Sequence, residues 1–391
     1  MPASPIRKLV PYAEEAKSRG IEVLHLNIGQ PDIKTPPEAL AAVRNSTMTT
    51  VEYTHSAGNA SLRKEMAKYF RRKDIEVDWE QIMITVGGSE AINFAFYSIL
   101  NYGDEVIVPE PFYSNYFGFA METGATMMPV RSTIETGFAL PSAEAFEQAI
   151  TPRTKAIILC NPNNPTGYVY SQQELEQIRD IILKYDLFLI CDEVYREFCY
   201  DGEHFSVMNL KGIEQHTILI DSFSKRYSQC GIRIGALVTR NKQVIDTAMK
   251  FAQARLSPPT FGQIAAEAAL KVGDQYMLDV FNEYKARRDY IIVALNEITG
   301  VYAPMPKGAF YAIVHLPVDD SEKFCIWMLQ EFNFNGTTVM LAPGNGFYLG
   351  KKLGDQQIRI GYVLEIAKLK RAVECLREAL RVYPGRLIEQ D

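Results

Sequence analysis

The chain has few of the features that commit a protein to a membrane, a metal or a nucleic acid. No apolar run approaches the ~20 residues needed to span a bilayer. The first twenty residues, MPASPIRKLVPYAEEAKSRG, lack the apolar centre of a secretory leader, so none is expected. Lys and Arg number 41 against 47 Asp and Glu, giving a net charge of −6. Nucleic acid and anionic membranes are recognised by clustered positive charge, and no dense basic run occurs, so neither is expected as a partner. The five histidines (His25, His55, His204, His216 and His315) share no metal-ligand spacing. The six cysteines (Cys160, Cys191, Cys199, Cys230, Cys325 and Cys375) contain no CxxC pair, and four lie in or beside apolar runs. That pattern fits reduced thiols and a cytoplasmic location better than a disulfide frame or a zinc site.

Nucleotide signals fail as well. GNGFYLG, 344 to 350, overruns the dinucleotide fingerprint by one residue, with Leu349 in the way. Read as a P-loop, Gly344 to Lys351 is also one residue too long, and Lys352 stands where Ser or Thr is needed. Nicotinamide cofactors and ATP are set aside on these grounds, and no GxSxG nucleophile elbow occurs.

What remains is an ordinary globular composition, 47% hydrophobic and 23% charged, in 391 residues, a length that points to two lobes. From the turn QPDIKTPP, 30 to 37, to about residue 240 strand and helix alternate. The candidate strands are 81 to 86, 104 to 109, 125 to 130, 155 to 160, 187 to 191, 217 to 221 and 235 to 239. Several are apolar on consecutive residues, as in a mostly parallel α/β sheet covered on both faces. Ser4 and Pro5 predict the start of a helix that Pro11 kinks and Gly20 ends, and Ser171 to Tyr185 reads as another helix. EVLHLNIG is extended and delivers Asn27 and Gly29 into a turn. Beyond 240 a long helix over 274 to 298 leads into a second α/β group: AFYAIVHL, a helix over 321 to 332, TTVMLA and QIRIGYV. The last helix puts Ile366, Leu369, Val373, Leu376 and Leu380 on one face.

Five stretches can carry chemistry. DSFSKRYSQCGIRIG, 221 to 235, sets Lys225 just past a strand end, with Ser222 and Ser224 before it and Arg233 after it. A nucleophilic lysine must lose its proton, which partial burial and cationic neighbours favour. GGSEA follows a strand and opens a helix, so Gly87, Gly88 and Ser89 make either a phosphate cradle or a plain turn with Ser89 as N-cap. NPNNPTG, 161 to 167, is a turn in which a cis bond at Asn164–Pro165 would aim the Asn164 amide inward. CDEVY brings Asp192 and Glu193 to the carboxyl edge of the sheet, where open α/β folds bind ligands, with Tyr195 in reach; the alternative is an Asp that caps the next helix. Arg359, in QIRIGYV, can clamp a carboxylate, its neighbours Ile358 and Ile360 facing the other way. A Schiff-base lysine, a carboxylate beside a ring nitrogen, a phosphate cradle and an arginine for a substrate carboxylate together meet the demands of pyridoxal phosphate.

NIGQPD, YTHSAGNASLR, GGSEA, NPNNPTG, CDEVY, SFSKRYSQCGIRIG and RIGYV follow one another in an order that resembles the fold-type I, class I aminotransferases, most closely the prokaryotic aspartate aminotransferase branch. The resemblance runs from about Pro5 to the last helix. It implies a large cofactor domain over 46 to 285 with a mostly parallel seven-stranded sheet, a smaller α/β domain from 1 to 45 and 286 to 391 that includes an N-terminal arm, and a homodimer. It implies Lys225 as the Schiff-base lysine and proton shuttle, Asp192 on the pyridine nitrogen, and Asn164 with Tyr195 on the ring hydroxyl. Gly88, Ser89, Ser222, Ser224 and Arg233 would hold the phosphate, and Tyr53 would reach the phosphate of the other subunit. Arg359, with Gly29 and Asn164, would bind the substrate α-carboxylate. Tyr113 stands where many relatives stack a tryptophan. The implied reaction is ping-pong transfer of an amino group from an amino acid, aspartate first, to a 2-oxo acid such as 2-oxoglutarate. A C–S β-lyase and a non-catalytic regulator on the same scaffold are the rivals. Arg255 is the candidate second cation for a dicarboxylate side chain.

Overall fold

The computed structural model describes residues 7–350 and 352–387. Its strands, in chain order, are β1 (Glu22–His25), β2 (Ile82–Thr85), β3 (Glu105–Glu110), β4 (Thr126–Arg131), β5 (Thr154–Cys160), β6 (Phe188–Asp192), β7 (Thr217–Ser222), β8 (Gly235–Val238), β9 (Tyr311–His315), β10 (Thr337–Met340), β11 (Ala342–Pro343) and β12 (Gln357–Gly361). Seven of them form one sheet in the order β2-β8-β7-β6-β5-β3-β4. All neighbours in it are parallel except β8, which runs antiparallel to both β2 and β7. Each of the seven strands read from sequence is in this sheet.

Side-chain alternation explains why these strands are apolar on consecutive residues. Val106, Ile158, Ile190, Ile220 and Leu237 point into one core, while Ile107, Leu159 and Leu189 point into a second and Ile84, Leu219 and Val238 into a third. Both faces of the sheet are therefore dry, and a polar residue within a strand has no solvent to face. Helices close the faces. The helix Gln172–Tyr185 starts where Ser171 and Glu174 form a reciprocal capping box and buries Leu175, Ile178, Ile181 and Ile182.

The remaining strands lie outside that sheet. β12 pairs antiparallel with β9 and β11, and β1 pairs parallel with β10, so the segment before residue 26 is stitched to the chain after 336. The long helix spans Asp274–Asn296, and the last helix, Ile366–Val382, buries Leu369, Val373, Leu376 and Leu380, with Ile366 half-buried at its start. The first helix differs from the expectation. It spans Val10–Ser18, so Pro11 lies in its first turn, where the amide it lacks would be unpaired anyway, and the helix has no kink there. Gly20, at φ +80°, ends the turn that follows, while Ser4 and Pro5 lie outside the described residues. Among the described residues no helix is long and apolar enough to cross a membrane, and no group of three acidic, His or Cys side chains is placed to hold a metal ion.

Candidate active site

A cavity of about 550 Å³ opens at the carboxyl ends of β5, β6 and β7, with the helix that follows β2 on one side and β12 on the other. Lys225, Asp192, Tyr195, Asn164, Arg359 and Gly29 all line it. So do Gly88, Ser89, Ser222, Ser224, Arg233 and Tyr113. Residues spread over more than 300 positions of sequence thus share one wall.

Lys225 sits in the short helix Phe223–Arg226, capped by Ser222, whose Oγ accepts from the Ser224 amide at 3.1 Å. It is half-buried, and its Nζ donates to the carbonyl of Gly29 at 2.9 Å. Immediately around it is a buried charge network. Asp221 pairs with Arg226 at 2.7 Å and with Arg196 at 3.3 Å, and Arg196 pairs with Glu193 at 3.2 Å. Glu193 therefore faces away from the cavity, held further by Ser206 and the Val207 amide. Of the two adjacent carboxylates at the end of β6, only Asp192 is left for a ligand.

Asp192 is 5% exposed. Tyr116 donates to its Oδ2 at 2.9 Å, and the Val194 amide donates to Oδ1 at 3.3 Å. The second bond gives part of the local capping role foreseen as the alternative. Burial pushes the carboxyl up to about 6, against the pull of those two hydrogen bonds, and among the described residues it makes no ion pair with a cation. Tyr195 points its hydroxyl at that of Tyr311, 3.1 Å away.

Arg359 is the opposite case. It is 2% exposed, lies over the rings of Tyr311 and Phe347, and donates to Asn164 Oδ1 at 3.2 Å and to the carbonyl of Asn27. Its Nε has no hydrogen-bond partner among the described residues, no carboxylate pairs with it there, and burial lowers its proton affinity. The neighbours at 358 and 360 are as buried as the arginine itself, so the strand is covered on both faces. The wall is tight at Gly29, where a Cβ would lie 1.6 Å from the Tyr311 hydroxyl.

The GGSEA turn opens its helix earlier than the N-cap reading requires. The helix spans Gly87–Ile99, so Ser89 stands inside the first turn, and Glu90 reaches back to the Val86 amide at 2.8 Å. Gly87 has φ +75°, and a Cβ on it would meet Arg233 Nη2 at 2.4 Å, so glycine is what lets that guanidinium cross the turn. Gly87 does not itself line the cavity. Arg233 donates to the carbonyls of Cys230, at 2.9 Å, and Val86.

Two expectations need correction, the cis bond and Arg255. The cis bonds are at Glu110–Pro111 and Asn161–Pro162, not at Asn164–Pro165: Asn161 is fastened on both sides, its amide to the Asp192 carbonyl and its Oδ1 to the Tyr170 amide, so the sharp bend falls just after it. Asn164 still faces inward, oriented by Arg359. Tyr53 is 78% exposed and lies outside this cavity. Arg255 does not line the cavity either, because Glu90 at 3.0 Å and the Ser56 carbonyl at 2.9 Å hold its guanidinium elsewhere. The sequence reading missed Tyr116, Tyr311 and Arg7. Tyr116 follows Tyr113 by three residues on the same helix entrance, a spacing that could have marked it, whereas nothing local marks Tyr311 or Arg7.

Among the described residues, a buried carboxylate without a cation and a buried guanidinium without an anion face one space beside a lysine and a Ser/Gly/Arg cradle. That donor set fits pyridoxal 5′-phosphate, which brings a phosphate and a ring nitrogen that gains charge beside a carboxylate, together with the carboxylate of an amino acid.

Comparison with known proteins agrees. The family model for aminotransferase class I and II matches residues 21–376. The chain is 32% identical to an aspartate/prephenate aminotransferase of Thermus thermophilus, covering 93% of this chain and 92% of that one. It is also 32% identical to aromatic-amino-acid aminotransferase 2 of Thermococcus litoralis, over 97% and 96% of the two chains. The solved structure of a Thermus thermophilus aspartate aminotransferase single mutant superposes with a TM-score of 0.89 at 30% identity over 97% of each chain. The protein belongs to the class I and II aminotransferases and uses their cofactor, pyridoxal 5′-phosphate.

Proposed function

We propose that the protein transfers the amino group of aspartate to 2-oxoglutarate in two half-reactions, with Lys225, Asp192 and Tyr195 at the reacting centre. The observation that supports this most directly is the single cavity shared by the unpaired Asp192 carboxylate, the unpaired Arg359 guanidinium and Lys225. When bound, the cofactor supplies an aldehyde that captures amines and a ring that accepts electrons. Asp192 would favour the protonated form of that ring's nitrogen, and Tyr116 keeps Asp192 oriented. Gly87, Gly88, Ser89, Ser222, Ser224 and Arg233 hold the phosphate, Gly87 by giving Arg233 room. Tyr113 would hold the ring, and Asn164 and Tyr195 would donate to its hydroxyl. Arg359, with the Gly29 backbone and Asn164, orients the substrate α-carboxylate so that its Cα–H meets Lys225 Nζ, which takes that proton and later returns it.

On this reading the large domain is 46 to 285 and the smaller one joins 1 to 45 with 286 to 391. Two copies form a homodimer in the cytoplasm, and the exposed Tyr53 serves the phosphate of the other copy. Relatives named for aspartate favour that donor; the aromatic amino acids for which another is named are the competing donors, and prephenate, a 2-oxo acid named together with aspartate, is a competing acceptor. The C–S β-lyase and a non-catalytic regulator are separated from it by one comparison. The holoenzyme is assayed for amino transfer from aspartate to 2-oxoglutarate and for pyruvate release from cystathionine, alongside borohydride labelling. Amino transfer with label on Lys225 supports the proposal; pyruvate release alone, or label elsewhere, sinks it.

A further inference from the structure

A dicarboxylate substrate needs a second cation, and the displaced Arg255 leaves that role open. Among the described residues four cationic side chains line the cavity, Arg7, Lys225, Arg233 and Arg359, against one carboxylate, Asp192. Three of the four are already fastened. Lys225 donates to Gly29, Arg233 to Cys230 and Val86, and Arg359 to Asn164 and Asn27. The proposed roles also account for their charges: Arg233 faces the phosphate, Arg359 the α-carboxylate, and Lys225 is the reacting amine. Arg7 differs in both respects. It lies on the segment leading into the helix Val10–Ser18, where its carbonyl accepts from the Val10 amide, and its side chain is exposed. Among the described residues its guanidinium donates to no carboxylate or carbonyl.

Resting on the function proposed above, we infer that Arg7 is the specificity-determining residue that binds the side-chain carboxylate of aspartate or 2-oxoglutarate, opposite the α-carboxylate held by Arg359. The geometry around it suits that task. Tyr113 and Asn115 line the same cavity and are joined by a 2.8 Å hydrogen bond from Asn115 Nδ2 to the Tyr113 hydroxyl. The positive charges of Arg359 and Arg7 both act on that hydroxyl, so the two guanidinium groups stand within electrostatic reach of one phenol. A guanidinium free of protein partners can form two parallel bonds to an incoming carboxylate without first breaking others. A neutral side chain leaves it in water at little loss, so Arg7 selects for an acidic substrate without excluding a neutral one.

The test uses the holoenzyme and two unreactive acids, succinate with two carboxylates and propionate with one. Their dissociation constants are measured by calorimetry for wild type, Arg7→Leu and Arg7→Lys. The expected result is that Arg7→Leu weakens succinate about ten-fold, the scale of one lost charge-assisted bond at an exposed site. Propionate is unchanged, and Arg7→Lys recovers most of the loss. Equal weakening of both acids, or no change in succinate, overturns the assignment. Neither measurement needs turnover, so a wild type that binds succinate through Arg7 yet transfers no amino group would sink the proposed activity and leave this assignment standing.

Discussion

Replacing Asp192 by Asn should abolish amino transfer and yet remove a pH-dependent instability from the cofactor-free protein. Burial raises the Asp192 carboxyl from an ordinary 3.8 to about 6. The folded state therefore binds a proton that the unfolded state has released between those two values, and stability falls as pH rises through that window. Because the group is almost fully buried, little solvent screening intervenes. A rise of about two units, at 1.36 kcal/mol each, amounts to roughly 3 kcal/mol lost between pH 3.8 and just above pH 6. Asn at this position has no such titration. It also offers one acceptor where Tyr116 and the Val194 amide both donate, so absolute stabilities of the two proteins differ for a second reason, and the slope is the informative quantity. Urea unfolding of both cofactor-free proteins from pH 4 to 7.5 measures it. Wild type should lose about 2 to 3 kcal/mol relative to Asp192→Asn across the range, the difference flattening above about pH 6.5. Parallel stability curves would refute the claim that an unpaired buried carboxylate stands ready for a cationic ring.

Tyr116→Phe removes the hydrogen bond that holds the Asp192 carboxyl down, so the same titration should move upward; cofactor affinity at pH 7 should fall about ten-fold by equilibrium dialysis, since one bond to a charged group is lost. Arg359→Leu takes out a buried, unpaired cation, so the cofactor-free fold should be no less stable by urea unfolding, while KM for amino acid donors rises about 100-fold from the lost carboxylate clamp. Gly29→Ala must displace the Tyr311 hydroxyl, which a Cβ would overlap at 1.6 Å; it should disrupt the Tyr195–Tyr311 contact and lower kcat/KM by more than about 100-fold, the scale of a misplaced catalytic wall, with little change in far-UV circular dichroism.

The seven large-sheet strands were legible because their signal is local: runs such as KAIILC and TILID are apolar on successive residues only where both faces of a strand are covered. The same holds for Lys225, Asp192 and Arg233, whose chain neighbours are the turns that deliver them to one edge of the sheet. Sequence alone thus determined the α/β class, the order of the elements and the chemistry their ends could carry, because periodicity and turn residues act over a few positions. Which residues meet across hundreds of positions was decided by tertiary packing. Only the approach of Tyr311 to Gly29, the Tyr116 hydroxyl on Asp192, the capture of Arg255 by Glu90 and the arrival of Arg7 at the cavity wall reveal those partnerships, since a long-range contact depends on where strands and helices dock and leaves no pattern in the stretch that makes it.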